Sequence, residues 1–202
     1  MKQPSSIALS ALLFASALSG SNVGAADFSA VPSGKYVVDP THAYIHMQYS
    51  HLGLSNPILG FEEFKMSMDL DSADPAKTSV AVEINVDSVR TGSEIFHEHI
   101  TGSKWFDTAN SPTISFASTA ISANADGTYD LTGDLTVKET TKPVTLKVTI
   151  NSATMHPFAK KPVVGLSAYG GIKRSEWGLG ANAPLISDEV KLEIQAELLA
   201  SE

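Results

Sequence analysis

The chain has 202 residues, a length that suits one domain, and it contains no cysteine, which excludes disulfide bridges and thiolate zinc sites. Its 14 basic and 22 acidic side chains give a net charge of −8, and no basic run follows Lys2. Because phosphate backbones and anionic bilayers attract cations, this charge argues against nucleic acid as a partner and against adhesion to an anionic membrane surface.

The first residues are typical of an export signal. Lys2 is positive, residues 7–18 form an apolar run, and small residues follow at 23–26. The run is shorter than the roughly 20 apolar residues that span a bilayer, so an uncleaved anchor is the weaker alternative. We predict a signal peptide over residues 1–26, cleaved after Ala25 or Ala26, and a mature domain over residues 27–202 without stable membrane insertion.

Apolar and polar residues alternate through most of the remaining chain, which is typical of β-strands with one buried face. In the first half, this alternation predicts strands at 35–39, 44–51, 64–70 and 80–86. Gly60 lies inside an otherwise strand-like run and therefore predicts a bulge or a bend.

The middle of the chain predicts a strand around Ile114 and Phe116 and then an antiparallel hairpin. In the hairpin, alternating residues lie on both sides of a polar reversal at 138–142. Pro143 lacks an N–H and is expected at the first position of the second strand.

The chain ends with two more predicted strands and contains one helical insert. The strands lie at 163–172, with a bend at Gly170-Gly171, and at 190–196. The insert breaks the alternation around residues 91–110, where Ser93 can cap a short helix that continues through Ile100 and ends at Gly102.

About eight strands in up-and-down order predict an all-β fold, an eight-stranded antiparallel lipocalin-like barrel with one short helical insert. A β-sandwich is the alternative. A barrel of this size either fills its interior with side chains or holds one small ligand, so the fold alone leaves both functions open.

Several short motifs, taken in their order and spacing, resemble those of the YceI-like family over nearly all of the predicted mature chain. The motifs are Tyr36-x-x-Asp39-Pro-x-His42, His51-Leu-Gly53, Gly60-Phe61, Thr91 with His99, Trp105-Phe-Asp107, Ser111-Pro-x-Ile-x-Phe116, Gly133-x-Leu-Thr136, Thr141-Lys-Pro-Val-Thr-Leu146, Arg174-Ser-x-Trp-Gly178 and Ser187-Asp-x-Val190. The resemblance implies a periplasmic lipocalin-like protein that binds or carries an isoprenoid, for example a polyprenyl phosphate or an isoprenoid quinone, or another long-chain lipid.

The inward apolar positions of the strands are the candidate lipid-binding site. Flexible thioethers suit a surface that repacks around an apolar chain, and the neighbouring pair Met66 and Met68 belongs to this set. A solid core is the alternative interpretation. The residues are Met47, Tyr49, Phe64, Met66, Met68, Val82, Ile84, Phe116, Leu135, Leu146, Val148, Leu166, Leu192 and Ile194.

Arg174 is the candidate head-group residue, because it lies at the end of a predicted strand and its fork of donors suits a phosphate. A salt bridge to one of the many carboxylates is the alternative.

Neither a catalytic nor a metal site is predicted. His97 and His99 are two positions apart, so on a helix they diverge by about 200°, unlike the pair in an HExxH motif. His42 and His51 are interpreted as buried, hydrogen-bonded side chains. Nucleophile-elbow, P-loop and dinucleotide motifs are absent from the sequence, so we predict a binding protein without a cofactor. A hydrolase, or a stress-related interaction protein with a filled barrel, is the alternative, and a homodimer is compatible with the sequence.

Overall fold

The computed structural model describes residues 26–201, so the predicted signal peptide, except for Ala26, lies outside the described residues. Within them the chain forms ten strands and one α-helix. These are β1 (Gly34–Gln48), β2 (Ile58–Phe61), β3 (Phe64–Leu70), β4 (Ser79–Asn85), β5 (Val89–Arg90), α1 (Glu94–Thr101), β6 (Thr113–Ala123), β7 (Tyr129–Val137), β8 (Thr140–Met155), β9 (Pro162–Lys173) and β10 (Glu189–Ala200).

Eight of these strands close an antiparallel barrel, as predicted. Apart from β2 and β5, each strand pairs with the next along the chain, and β1 closes the barrel by pairing with β10, for example Ile45 opposite Ile194. The first half of β1 pairs with β3, and its second half pairs with β2, which carries β5 at its free edge. All eight ladders are antiparallel, which fits the up-and-down order.

The start of the barrel differs from the prediction of two separate strands. β1 is continuous, and its register with β10 shifts between Val38 and Ala43, which face Leu198 and Ala196. Four residues, 39–42, therefore bulge opposite Glu197 alone. Pro40 is tolerated inside the strand because the bulge removes the need for its missing N–H in the ladder.

The hairpin reversal is shorter than predicted. It consists of Lys138 and Glu139, and Lys138 adopts a positive φ of 56°. Thr140 already begins β8, so Pro143 lies inside this strand, opposite Asp134, and not at its first position. The ladder between β8 and β9 starts only at Lys147, so Pro143 faces an unpaired edge on that side, where its missing N–H interrupts no ladder.

Gly60 and Gly170, where the sequence predicts bends, both pair regularly in the sheet. Gly60 pairs regularly with His46, and the chain leaves the ladder at residues 62–63, just beyond it. Gly170 pairs regularly with Leu192, but a β-carbon there would lie 2.5 Å from Leu146 Cδ2. The glycine therefore makes room for a side chain of the interior wall.

The N-terminal segment 26–33 covers one end of the barrel, which we call the base. Phe28 and Val31 are 7% and 3% exposed, and the Tyr36 hydroxyl donates a 2.8 Å hydrogen bond to the carbonyl of Pro32. The opposite end, which we call the mouth, is formed by α1, the β7–β8 reversal and the loops 49–57 and 178–187. The barrel therefore has a covered base and a mouth built from loops and one helix.

Candidate functional site

The barrel encloses a cavity of about 650 Å³. Its wall runs from Phe28 and Pro75 at the base to Ser93 and Ile95 at the mouth. The volume lies within the range of roughly 300–1,000 Å³ that is usual for small-molecule sites. The interior of this barrel is therefore open, not filled by its side chains.

Thirteen of the fourteen inward residues named from the sequence line this cavity. Phe64 is the exception: it lies outside the wall and packs, half-buried, against the core. The residues in the wall are Met47, Tyr49, Met66, Met68, Val82, Ile84, Phe116, Leu135, Leu146, Val148, Leu166, Leu192 and Ile194. Their role in binding a lipid remains a prediction.

The wall also contains residues outside the fourteen named from the sequence. Ile45 on β1 and His51, just beyond its end, continue the alternating face of Met47 and Tyr49, so period two includes them. Further strand residues line the cavity in the same way, for example Leu70 and Leu131. No such period exists in the N-terminal segment, the helix and the loops, whose lining residues include Phe28, Ser93, Ile95, Phe96, His99, Ile100, Trp105, Phe106, Trp177, Leu179 and Ile186.

The helix at the mouth begins and ends where the sequence predicted. Ser93 Oγ accepts a hydrogen bond from the Phe96 N–H at 3.4 Å, and Gly102 follows the last turn. His97 Nε2 lies 2.9 Å from the carbonyl oxygen of Asp87, whereas His99 Nε2 accepts from the indole N–H of Trp105 at 2.9 Å. The two histidines thus have different partners and do not form a joint ligand pair.

Arg174 is buried and holds the loop 178–187 through main-chain carbonyls. Its Nε donates to Ser187 at 2.9 Å, its Nη1 to Ala181 at 3.0 Å and also to Leu179, and its Nη2 to Ile186 at 2.8 Å. Most of the guanidinium donors are therefore already engaged. Of the fork of donors that the sequence predicts for a ligand, one Nη2 donor and the positive charge remain available.

The charge of Arg174 lies in the cavity wall without a carboxylate in contact. It belongs to none of the ion pairs within 4.0 Å found in residues 26–201, so the alternative of a salt bridge is wrong. Trp105 lies against it, with the guanidinium carbon 5.4 Å from the ring centroid. Burial lowers the pKa of Arg174 and raises that of Tyr49. The charge of Asp188, whose carboxylate accepts a hydrogen bond from Ser175 Oγ, acts on the pKa of Arg174 in the opposite direction from beyond contact distance.

Comparison with known proteins identifies the domain. A family model described as the YceI-like domain matches residues 36–198. The chain belongs to the YceI-like family. A relative described as a UPF0312 protein, from Ectopseudomonas mendocina (strain ymp), is 34% identical over 171 residues, which cover 85% of this chain and 76% of the relative. A second UPF0312 protein, from Yersinia pestis (strain Pestoides F), is 32% identical and covers 89% and 95%.

Two solved structures are similar to this chain in fold. BcnA from Burkholderia cenocepacia is 26% identical, with a TM-score of 0.71 over 81% of this chain and 99% of that one. A polyisoprenoid binding domain from Saccharophagus degradans is 12% identical, with a TM-score of 0.65 over 84% and 99%, and shares the fold. None of the helices within residues 26–201 is long and apolar enough to cross a membrane.

The outer surface of the YceI-like barrel carries a cluster of hydrogen-bonded ionisable groups in the bulge of β1. Asp39, His42 and Glu197 place their potential metal-ligand atoms within 4.8 Å of one another. Hydrogen bonds explain most of this arrangement: Asp39 accepts from Thr41 Oγ1 at 2.7 Å and lies 3.1 Å from His42 Nδ1.

These hydrogen bonds shift the pKa values of Asp39 and His42. They lower the pKa of Asp39 to about 2, chiefly through Thr41, and the bond to Asp39 raises the pKa of His42. The His42 side chain is 59% exposed, so its interpretation as a buried group is wrong, because the bulge turns it away from the barrel. His51, in contrast, is half-buried and lines the cavity.

Proposed function

We propose that this YceI-like protein binds a long-chain lipid inside the barrel and carries it in the periplasm. The observation that carries the proposal is the 650 Å³ cavity with its almost wholly apolar wall. Arg174 is the only residue with a formal charge among its lining residues, if histidine is neutral. Such a wall suits a hydrocarbon chain and offers few directional contacts to a polar metabolite.

Affinity for such a ligand follows from its length. Each methylene group that leaves water for the wall contributes roughly 0.8 kcal/mol, so a chain of many carbons needs no specific polar contact. Three methionines, Met47, Met66 and Met68, lie in this wall and can adjust their three rotatable bonds to branched or straight chains. The same wall therefore accepts ligands of related shape.

An isoprenoid is the ligand class that we propose within this group. The likeness in fold to the polyisoprenoid binding domain from Saccharophagus degradans supports this choice. The export signal predicted over residues 1–26 supports a periplasmic location. A polyprenyl phosphate or an isoprenoid quinone has the required apolar chain with a compact head.

We further assign the head of the ligand to the side of the cavity near Arg174. Its charge lacks a contacting carboxylate, and Trp105 and His99 lie beside it at the mouth. In an apolar surrounding, such a charge attracts a phosphate or a quinone oxygen more strongly than in water. The apolar tail then extends toward Phe28 at the base.

Two polar side chains of the wall favour binding as the proposed function. Ser93 uses its hydroxyl oxygen to accept a hydrogen bond in the helix cap, and His99 Nε2 accepts the Trp105 N–H. These two side chains therefore do not form a nucleophile and base pair, which would require a hydrogen bond between them. A carrier protein needs neither a nucleophile nor a general base.

Mass spectrometry of an organic extract tests the function. The protein is expressed with its N-terminal segment, recovered from the periplasm and extracted under denaturing conditions, and we expect one long-chain lipid at near-equimolar amounts. Intact mass after export reports whether residues 1–25 have been removed. An extract that contains no lipid above that of an unrelated periplasmic protein, together with no saturable binding of added polyprenyl phosphate or quinone, would contradict the proposal.

A further inference from the structure

The two loops that border the mouth carry no charged residue. Residues 49–57 and 178–187 contain neither Asp, Glu, Lys nor Arg, although such residues make up 18% of the chain. At that frequency, loops of this combined length would contain three or four charges. Surface loops are usually polar, so the absence of charge from both loops marks this surface as unusual.

Hydrogen bonds join the two loops into one unit. The Leu52 N–H donates to the carbonyl of Leu185 at 3.0 Å, and the Ser187 N–H donates to the carbonyl of Ser50 at 2.9 Å. Ser187 Oγ also accepts from the Ser50 N–H at 2.8 Å. The backbones of both loops are thereby held at the mouth, and their outward side chains cannot turn inward without breaking these bonds.

Large aliphatic side chains project from this unit and from the adjoining helix. Leu54 and Leu185 are 81% and 71% exposed, and Leu52 is 48% exposed. Ile95, in the first turn of α1, is 83% exposed and also lines the cavity. We call these four residues the leucine rim.

The distribution of exposed aliphatic residues is one-sided. Among the described residues, every exposed leucine and isoleucine lies at the mouth: the leucine rim and Ile58, which begins β2 beside the loop 49–57. The other exposed large apolar side chains among the described residues are spread singly, on strands at Val37, Tyr44 and Tyr169 and at the base at Met155 and Phe158. A cluster of this kind marks an interaction surface, whereas scattered single residues need no explanation.

We infer that the leucine rim docks the protein on the surface of a lipid bilayer, with the mouth of the cavity facing the membrane. The inference rests on the proposed function, because the rim continues into the cavity wall through Ile95, so a lipid leaving the bilayer passes from one apolar surface to another. A second copy seated on the rim would instead cover this route.

The contact depends on apolar insertion and not on charge. The chain is acidic, with a net charge of −8, so anionic lipids repel it at long range. Uncharged loops with aliphatic tips enter the boundary between head groups and acyl chains without burying a charge. We therefore expect the protein to bind neutral zwitterionic vesicles, and adding anionic lipid to weaken this binding.

Vesicle sedimentation with rim variants tests the inference. The exported protein is mixed with phosphatidylcholine vesicles, with and without phosphatidylglycerol, and compared with Leu54→Ser/Leu185→Ser. We expect this double variant to lose at least about tenfold in partitioning, because two leucines no longer leave water. Phe158→Ser, an 89% exposed residue at the base, is the matched control and should partition like the wild type.

The outcomes separate this inference from the proposed function. Equal partitioning of wild type and rim variant, equal loss in the Phe158→Ser control, or no binding of the wild type would overturn the docking surface. A rim variant that changes only from dimer to monomer in light scattering would assign the rim to a second copy. Lipid extraction from the same samples reports on the proposed binding of lipid in the cavity. A rim variant that retains its lipid but no longer binds vesicles would support the inference. Rim-dependent vesicle binding by a protein without extractable lipid would contradict only the proposed lipid binding in the cavity.

Discussion

The ring of Phe116 occupies the space where a β-carbon of residue 133 would lie. Such a carbon would stand 2.4 Å from Phe116 Cζ and 2.5 Å from the carbonyl oxygen of Ala117. Gly133 on β7 thus allows an aromatic residue of β6 to lie flat in the cavity wall. The close approach involves backbone as well as a side chain, so a small movement of the ring alone cannot relieve a substitution.

We therefore expect Gly133→Ala to lower the free energy of unfolding by about 1–3 kcal/mol, the usual cost of overpacking. Gly165→Ala on β9 is the control, because the nearest atom to its new β-carbon would be 4.0 Å away. Urea unfolding measures both. Equal stability of the two variants would show that Phe116 moves freely.

Met66 provides a test of whether the cavity accommodates a larger side chain. It is 6% exposed, lines the cavity and pairs with Val82 across the sheet. We expect Met66→Trp to change the melting temperature little and to reduce lipid binding at least about tenfold, because the indole fills space that a chain would use. A filled core would instead lose about 1–3 kcal/mol of stability.

The control for Met66→Trp is Lys65→Trp. Lys65 lies on the same strand with its side chain 86% exposed, so its replacement leaves the cavity unchanged. Thermal melting and lipid titration are measured on the same samples. A stable Met66→Trp variant with normal lipid binding would place the ligand elsewhere.

Arg174 holds the loop 178–187, and we propose a second, separable role for its charge at the cavity wall. Arg174→Gln and Arg174→Lys both remove donors from buried carbonyls, and each should cost about 1–3 kcal/mol or more of stability. Only Arg174→Lys keeps the charge. We expect it to retain a preference for a prenyl phosphate over the neutral prenyl alcohol, and Arg174→Gln to lose about tenfold of that preference.

Competition titrations with the two prenyl ligands measure this preference at a temperature where both variants are folded. An unchanged ratio in Arg174→Gln would limit Arg174 to holding the loop 178–187.

The bulge on β1 makes stability depend on pH. The pKa of Asp39 is lowered to about 2 from its ordinary 3.8, so its contribution to stability is complete above about pH 4 and is lost as pH falls through 2. The pKa of His42 is raised from 6.5, so its contribution is present below that value and is lost as pH rises through the raised value.

We expect Asp39→Asn to destabilise the protein by about 1 kcal/mol between pH 4 and 6, after allowance for solvent screening, and by clearly less at pH 2.5, close to the lowered pKa. Asp69→Asn, at an exposed position of β3, is the control. Urea unfolding at pH 2.5, 4 and 6 measures the difference. A pH-independent effect of Asp39→Asn would show that the carboxylate charge is not involved.

Alternation of residue type was sufficient to predict the barrel and most of its inner wall. Along β1 and the residues just beyond its end, Ile45, Met47, Tyr49 and His51 all line the cavity, because a period of two assigns every second residue to the same face. The helix was also predictable, since Ser93 and Gly102 mark its ends by local chemistry.

Features that depend on distant partners were not predictable. The continuity of β1 through Pro40 depends on Glu197 and its neighbours on β10, far away in sequence. The bonds of Arg174 go to carbonyls of an irregular loop, whose course has no period. Residues of the wall that come from this loop and from the segment 26–33 were missed for the same reason.

The pairing of β1 with β10 also bears on how the chain can be made and rearranged. Tyr36 lies opposite Ala200, and the Ser201 N–H donates to the carbonyl of Lys35 at 2.8 Å, so the two ends of the barrel chain are neighbours. The last ladder can form only when β10 has been synthesised, and until then the apolar wall faces water along an unzipped seam. A circular permutant that links residues 26 and 201 and opens the chain at Lys138-Glu139 would keep the barrel and its covered base and join β1 and β10 covalently, and its late step would be the pairing of β7 with β8.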